Sequence, residues 1–206
     1  MNPFCTSKPV RAFVAIALPQ ILVERLKQIQ QQLQSDAGGD AVRWTKTAQL
    51  HVTLKFLGNV AEDALNDLKA ALRRVCKGQA PFRLTLENPG CFPNTRNPRV
   101  IWLGISGELE SLQELQTQIA RETQTFGDHS EVHAFQPHLT IGRVNARAVH
   151  AKRVGQAVEK SPVGKVGTWT VSEIDLMQSR LTPQGAKYAT LATLSLSSPL
   201  SKVTLN

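Results

Sequence analysis

Two stretches decide the reading of this chain: Gln49-Leu50-His51-Val52-Thr53-Leu54 and Gln136-Pro137-His138-Leu139-Thr140-Ile141. In each, a histidine and a threonine stand two residues apart and alternate with aliphatic residues. A β-strand points successive side chains to opposite faces, so His and Thr share one face while Val52 and Leu54, or Leu139 and Ile141, share the other. One face is apolar and core-directed; the other presents an imidazole beside a hydroxyl. A lone strand histidine is more often structural than catalytic. Here a whole six-residue pattern recurs, and each copy is followed within eight residues of its histidine by an Asn and then by a helical segment. That is the mark of a duplicated strand-and-helix unit. Approximate two-fold symmetry between the copies would set His51 and His138 face to face across a small cleft.

Working outward, Val10 to Leu18 reads as a strand, and Pro19 opens a helix with Leu22, Leu26, Ile29 and Leu33 at helical spacing, closed by Gly38-Gly39. Val42-Arg43-Trp44 is a short extended piece leading to the first signature strand, Leu50 to Leu57. Gly58-Asn59 is expected to turn the chain, with Asn59 and Glu62 forming a capping box for a helix whose stripe is Leu65, Leu68, Leu72 and Val75. Acidic residues open that helix and Arg73-Arg74 close it, as the macrodipole favours. Strands are expected at Phe82 to Glu87 and Val100 to Ile105, separated by a Pro/Asn/Gly-rich loop from Asn88 to Arg99. A third helix uses Leu109, Leu112, Leu115 and Ile119. A fourth runs from Asn145 to Val158, and strands at Val166 to Met177 and Tyr188 to Leu196 complete the chain.

At 206 residues the chain can bury a proper core, and no linker-like break divides it, so 1–206 reads as a single domain, whole or in two closely packed lobes. A composition 41% hydrophobic and 19% charged suits a soluble globular protein, and no apolar run approaches a membrane span. Ala12 to Leu18, preceded by Lys8 and Arg11, mimics a secretion signal, but a core strand ending at Pro19 explains it better. Cys5, Cys76 and Cys91 are odd in number and lack paired spacing, which reads as free thiols in a reducing compartment and so a cytoplasmic protein. The net charge of +8 and a pI near 9.8 favour a polyanionic partner, because such a field concentrates phosphates.

Zinc is the competing use of the histidines. His129 and His133 are four apart and close to His138, yet Glu131 does not directly follow the first His, as the metalloprotease helix requires, and the segment reads as a loop. His129, His133 and His150 are therefore expected at the surface, with no metal bound.

Further strings accompany the repeat: Arg11-Ala12-Phe13-Val14-Ala15-Ile16, Trp44 leading to Leu50-His51-Val52-Thr53-Leu54-Lys55-Phe56-Leu57-Gly58, and Phe92-Pro93 leading to Val100-Ile101-Trp102-Leu103-Gly104. Pro137 to Arg143 and Ser179 through Gly185 to Tyr188 continue them. Over residues 10 to 196 the chain resembles the RNA 2′,3′-cyclic phosphodiesterases, also called the 2′-5′ RNA ligase family, of the two-histidine phosphoesterase superfamily. Gly142 stands where that family often has Ala, and the 129–133 segment looks local to this chain.

The resemblance implies an α+β fold of two pseudo-symmetric lobes, each an antiparallel sheet with helices packed outside, and an active-site cleft between them. It implies opening of a cyclic phosphate at an RNA 3′ end without metal or nucleotide cofactor, leaving a 2′-phosphate. It gives His51 as proton donor to the leaving 3′ oxygen and His138 as proton acceptor from water; the residue types alone leave those roles open. An imidazole can do either job near neutral pH. Thr53 and Thr140 can donate to the non-bridging oxygens, and Arg143 can add a charge-assisted contact to the phosphate or the adjoining backbone. Reversal of the reaction would join a 5′-hydroxyl to the cyclic end as a minor 2′-5′ ligation. Two other readings are the same chemistry on a small nucleotide or 2′-5′ oligonucleotide, and a non-catalytic RNA-binding module. The protein is expected to act as a monomer. Trp44 and Tyr188 are candidates to stack a base but more simply wall packing; Arg96 and Arg99 are placed at the cleft rim. Lys55 is expected on the face of His51 and Thr53, at a solvated strand end.

Overall fold

The computed structural model describes residues 8–38, 41–128, 134–145, 151–182 and 185–198. Its strands are β1 (Val10–Ala17), β2 (Val42–Trp44), β3 (His51–Val60), β4 (Phe82–Phe92), β5 (Val100–Gly107), β6 (His138–Val144), β7 (Lys165–Val171), β8 (Glu173–Thr182) and β9 (Gly185–Ser195). The helices are α1 (Gln20–Ala37), α2 (Leu65–Cys76), α3 (Leu109–Glu122) and α4 (Ala151–Glu159), with 3-10 turns at Thr47–Gln49 and Glu62–Ala64.

The strands run in the order β7-β4-β5-β6-β3-β1-β8-β9, with β2 added beside β6, and every pairing is antiparallel. The sheet divides at its middle. β3 and β6 meet through one pair of residues, Val52 opposite Leu139, whereas the pairings within each half are long ladders. Helices α2 and α3 pack on the β3-β1-β8-β9 half, and α1 and α4 on the β7-β4-β5-β6 half. The halves exchange helices: α1 follows β1 but covers the other half, and α3 follows β5 but packs on β3. This is the α+β two-lobed arrangement that the resemblance implies.

Apolar residues facing the helices make the core. Val52, Leu54, Leu139 and Ile141 of the signature strands are buried, as are Leu22, Leu26 and Leu33 of α1 and Leu68, Leu72 and Val75 of α2. Ala12 to Ile16 are all buried in β1, so the segment that mimics a secretion signal is a core strand.

Several boundaries differ from the sequence reading. Gly58-Asn59 does not turn the chain; β3 continues to Val60. Gly58 adopts φ 73° where the β1–β3 register slips by one residue, a conformation that costs glycine little. Asn59 is not a helix cap: its backbone N–H and side-chain amide donate to the Asp128 carboxylate at 2.7 and 2.9 Å. The residues preceding the 3-10 turn and α2 are Ala61 and Ala64, with no side-chain cap bond. β4 extends five residues past the expected end at Glu87, bulging at Asn88. β7 pairs with β4 only as far as Glu87, and Asn88 N–H donates to the Gly164 carbonyl just past it, so Pro89 falls beyond that ladder. The single strand expected from Val166 to Met177 is two, β7 and β8, which lie in opposite halves because the chain crosses at Ser172. Helix α4 begins at Ala151; its expected start falls partly among residues 146–150, outside the described residues.

Candidate active site

The site is built from the first residues of β3 and β6. His51 and Thr53 are half-buried and alternate with buried Val52 and Leu54; His138 and Thr140 alternate with buried Leu139 and Ile141. Val52 opposite Leu139 is the seam of the sheet, so the imidazoles flanking that pair both leave the helix-covered face and project on the other. Antiparallel register makes His51 and His138 diagonal neighbours across the seam, on the same open face.

Each ring is anchored in the same way. His51 Nδ1 lies 2.7 Å from the Gln49 carbonyl oxygen, and His138 Nδ1 lies 2.7 Å from the Gln136 carbonyl oxygen. A carbonyl oxygen only accepts, so Nδ1 carries the proton in both rings and Nε2 is left free for chemistry. Gln49 is itself held, its side-chain amide donating to the Ala186 carbonyl at 2.7 Å.

Immediately after each threonine the strand bulges. Ala15 is opposite Thr53 and Val14 opposite Lys55, which skips Leu54; Trp102 is opposite Thr140 and Ile101 opposite Gly142, which skips Ile141. A bulge of one residue inverts the alternation. Lys55 accordingly does not share the face of His51 and Thr53, as its spacing suggests. It is buried, and its ammonium donates to Ala120 O and Thr123 Oγ1, both at 3.0 Å, at the C-terminal end of α3. At the matching position, Gly142 lets β2 approach: a Cβ there would sit 2.8 Å from Val42 Cγ1.

Buried amides reach the skipped residues. Gln30 of α1 donates to the carbonyls of Ile141 and Thr45, both at 2.8 Å, and Gln116 of α3 reaches the Leu54 carbonyl at 3.5 Å. The sequence reading missed both glutamines. A signal existed: Gln30 continues the Leu22, Leu26 series at the same spacing of four, and Gln116 lies between Leu112 and Ile119 on the inward stripe.

The surroundings of the two rings differ. The His51 ring lies against Phe13 (4.9 Å between centroids) and meets Tyr188 edge-on (5.3 Å), whereas His138 meets Phe92 edge-on (5.0 Å). Burial pulls the His51 pKa below its ordinary 6.5, partly offset by the bond to the Gln49 carbonyl, which supports the charged ring. Tyr188 thus stands at the site, while Trp44 packs half-buried against the core. Beside Phe13 and Tyr188 lies a cavity of about 530 Å³ whose wall includes Arg11, Arg43, Phe56 and Arg143. Arg96 and Arg99 are not among its described lining residues. No group of three or more His, Cys, Asp or Glu among the described residues could hold a metal; His129 and His133, like His150, lie outside them.

Residues 18–182 match the family model described as the 2′-5′ RNA ligase superfamily. The chain is 35% identical over 180 residues to the RNA 2′,3′-cyclic phosphodiesterase of Methanothermobacter thermautotrophicus, covering 87% of this chain and 95% of that one. It is 34% identical over 182 residues to the protein of that name from Archaeoglobus fulgidus, covering 88% and 98%. Its fold is similar to that of E. coli LigT complexed with 3′-AMP, at TM-score 0.66 and 28% identity over 93% of this chain and all of that one. With the paired strands, the repeated anchors and these matches together, the chain belongs to the 2′-5′ RNA ligase superfamily.

Proposed function

We propose that this protein is an RNA 2′,3′-cyclic phosphodiesterase that opens the ring with His51 and His138 as a paired acid and base, requiring no metal. One observation carries the reading: both imidazoles hold Nδ1 on a carbonyl 2.7 Å away and leave Nε2 free on the open face beside the seam. One Nε2 takes a proton from water as its oxygen attacks phosphorus. The P–O3′ bond breaks, the other Nε2 delivers a proton to the departing 3′ oxygen, and the phosphate remains on the 2′ oxygen. Thr53 and Thr140 donate to the non-bridging oxygens as negative charge builds there. Arg143 adds positive charge to the same phosphate or the adjoining backbone. The relatives named RNA 2′,3′-cyclic phosphodiesterase and the 3′-AMP complex of LigT support this substrate class. The reverse reaction, 2′-5′ joining, is minor because water is abundant and RNA ends are dilute.

The family resemblance makes His51 the donor and His138 the acceptor. In the free protein the burial of His51 works against a charged ring, while the anionic phosphate, once bound, works for it. Free thiols at Cys76 and Cys91, both pushed up to about 11 by burial, are unreactive and suit a cytoplasmic setting.

The test is incubation of a 2′,3′-cyclic-phosphate oligonucleotide in EDTA, with the product phosphate mapped. A 2′-phosphate at undiminished rate is expected; a 3′-phosphate, or loss of activity in EDTA that returning metal restores, would overturn the mechanism. The roles are separated by a substrate with sulfur at the 3′ bridging position, a leaving group that needs no proton. That substrate rescues the variant lacking the donor and leaves the acceptor variant inactive.

A further inference from the structure

We infer that Arg11, Arg43 and Arg143 form a second phosphate site, which grips the phosphodiester on the 5′ side of the terminal nucleoside and so selects oligonucleotides over mononucleotide cyclic phosphates. The inference rests on the phosphodiesterase reading and assigns the neighbouring cavity to the substrate's next phosphate. All three guanidinium-bearing residues line that 530 Å³ cavity, and none of its described lining residues is acidic. Arg43 and Arg143 stand directly opposite each other on β2 and β6. Like charges in direct cross-strand register repel, so their placement is unfavourable until an anion lies between them. The salt bridges among the described residues use Arg74 and Arg121 instead. Arg11 feels the field of Asp128, but that carboxylate is already engaged by the N–H and amide of Asn59.

Position supplies the second half of the argument. Phe13 and Tyr188 line the cavity, lie 5.1 Å apart and meet the His51 ring at centroid distances of 4.9 and 5.3 Å, so the cavity opens one ring away from the proposed reacting centre. Phe56, 47% exposed on the same wall, offers an apolar surface to a base. The internal repeat adds a contrast. Five residues after His51 stands Phe56, and five after His138 stands Arg143, so this charge belongs to one half alone. Arg11 comes from β1 of the other half, and the cluster therefore spans the seam.

The experiment compares uridine 2′,3′-cyclic phosphate with a dinucleotide ending in the same group, using the intact protein and Arg43→Gln. The intact protein is expected to prefer the dinucleotide, and Arg43→Gln to lose about tenfold more kcat/KM on the dinucleotide than on the mononucleotide. A neutral methylphosphonate in place of the internucleotide phosphate should reproduce that loss in the intact protein and add nothing to it in Arg43→Gln. Equal losses on both substrates, or full activity on the methylphosphonate, would overturn the second site. If neither substrate turns over, the phosphodiesterase reading fails by itself, and the second site is read from binding. There, anisotropy with a dinucleotide 2′-phosphate should show the same charge-dependent gap over uridine 2′-phosphate, with a salt slope smaller by about one in Arg43→Gln; no gap overturns it.

Discussion

The two signature strands share a backbone and differ in their surroundings. Both fix Nδ1 on a carbonyl two residues back, and both bulge one residue past the threonine. Yet His51 is enclosed by Phe13 and Tyr188, while His138 meets Phe92 and is more open. The carbonyl at the bulge also differs: at Ile141 it takes a short bond from Gln30, and at Leu54 a long one from Gln116. Duplication therefore supplies geometry and the packing around it supplies asymmetry. An acid–base pair has one ring charged while the other is neutral at the same pH, and unequal surroundings help to decide which.

The largest test of that comparison removes either ring. His51→Gln and His138→Gln should each lose about 10²–10⁴ in single-turnover rate, with circular dichroism unchanged. On the proposed mechanism the rings act as one unit, so the double variant should fall little further than the worse single one. A full rate from either single variant would break the pairing.

Next come the hydroxyls. If Thr53 and Thr140 stabilise developing charge as proposed, Thr53→Val and Thr140→Val should each lower kcat by about tenfold to a hundredfold with little change in KM. Equal losses would mean that the symmetry extends to the non-bridging oxygens; unequal ones would show where it ends.

The bulge carbonyls give a smaller contrast, read as stability. Gln30→Leu removes that donor from the part-buried Thr45 carbonyl and from the Ile141 carbonyl, which keeps the Thr45 N–H, and should cost about 1–2 kcal/mol in urea unfolding; Gln116→Leu should cost less, under about 1. The reverse order would mean that the two halves are supported differently from what the bond lengths indicate.

The smallest effect concerns pH. With its folded pKa below 6.5, His51 takes up protons more readily in the unfolded chain. Its contribution to stability is complete above pH 6.5, falls as pH drops below that value, and levels off beneath the folded pKa. Each unit of the difference is worth about 1.4 kcal/mol. Thermal unfolding of His51→Gln should lack that part of the pH dependence between 7 and 5, and an unchanged slope would show that burial does not disfavour the charged ring.

Much of the fold was legible because apolar spacing reports which side of an element is covered. Leu68, Leu72 and Val75 lie where the stripe of α2 puts them, and His51 with Thr53 shares a face because strand alternation holds there. The errors cluster where alternation is interrupted. Lys55 reads as a partner of His51 only if no residue is skipped. Asn59 reads as a cap only if the bond to distant Asp128 is unknown, and β7 with β8 reads as one strand because both are extended on either side of Ser172.

From the one-dimensional chain alone came the repeat and the family: which strand faces are apolar, which present a histidine beside a threonine, and the superfamily to which the chain belongs. Folding decided the rest. Val52 against Leu139 makes the seam, the bulges turn Lys55 inward, and Arg11, Arg43 and Arg143 meet although they lie far apart along the chain. Those outcomes depend on contacts between remote segments, and local spacing holds no record of which remote segment arrives.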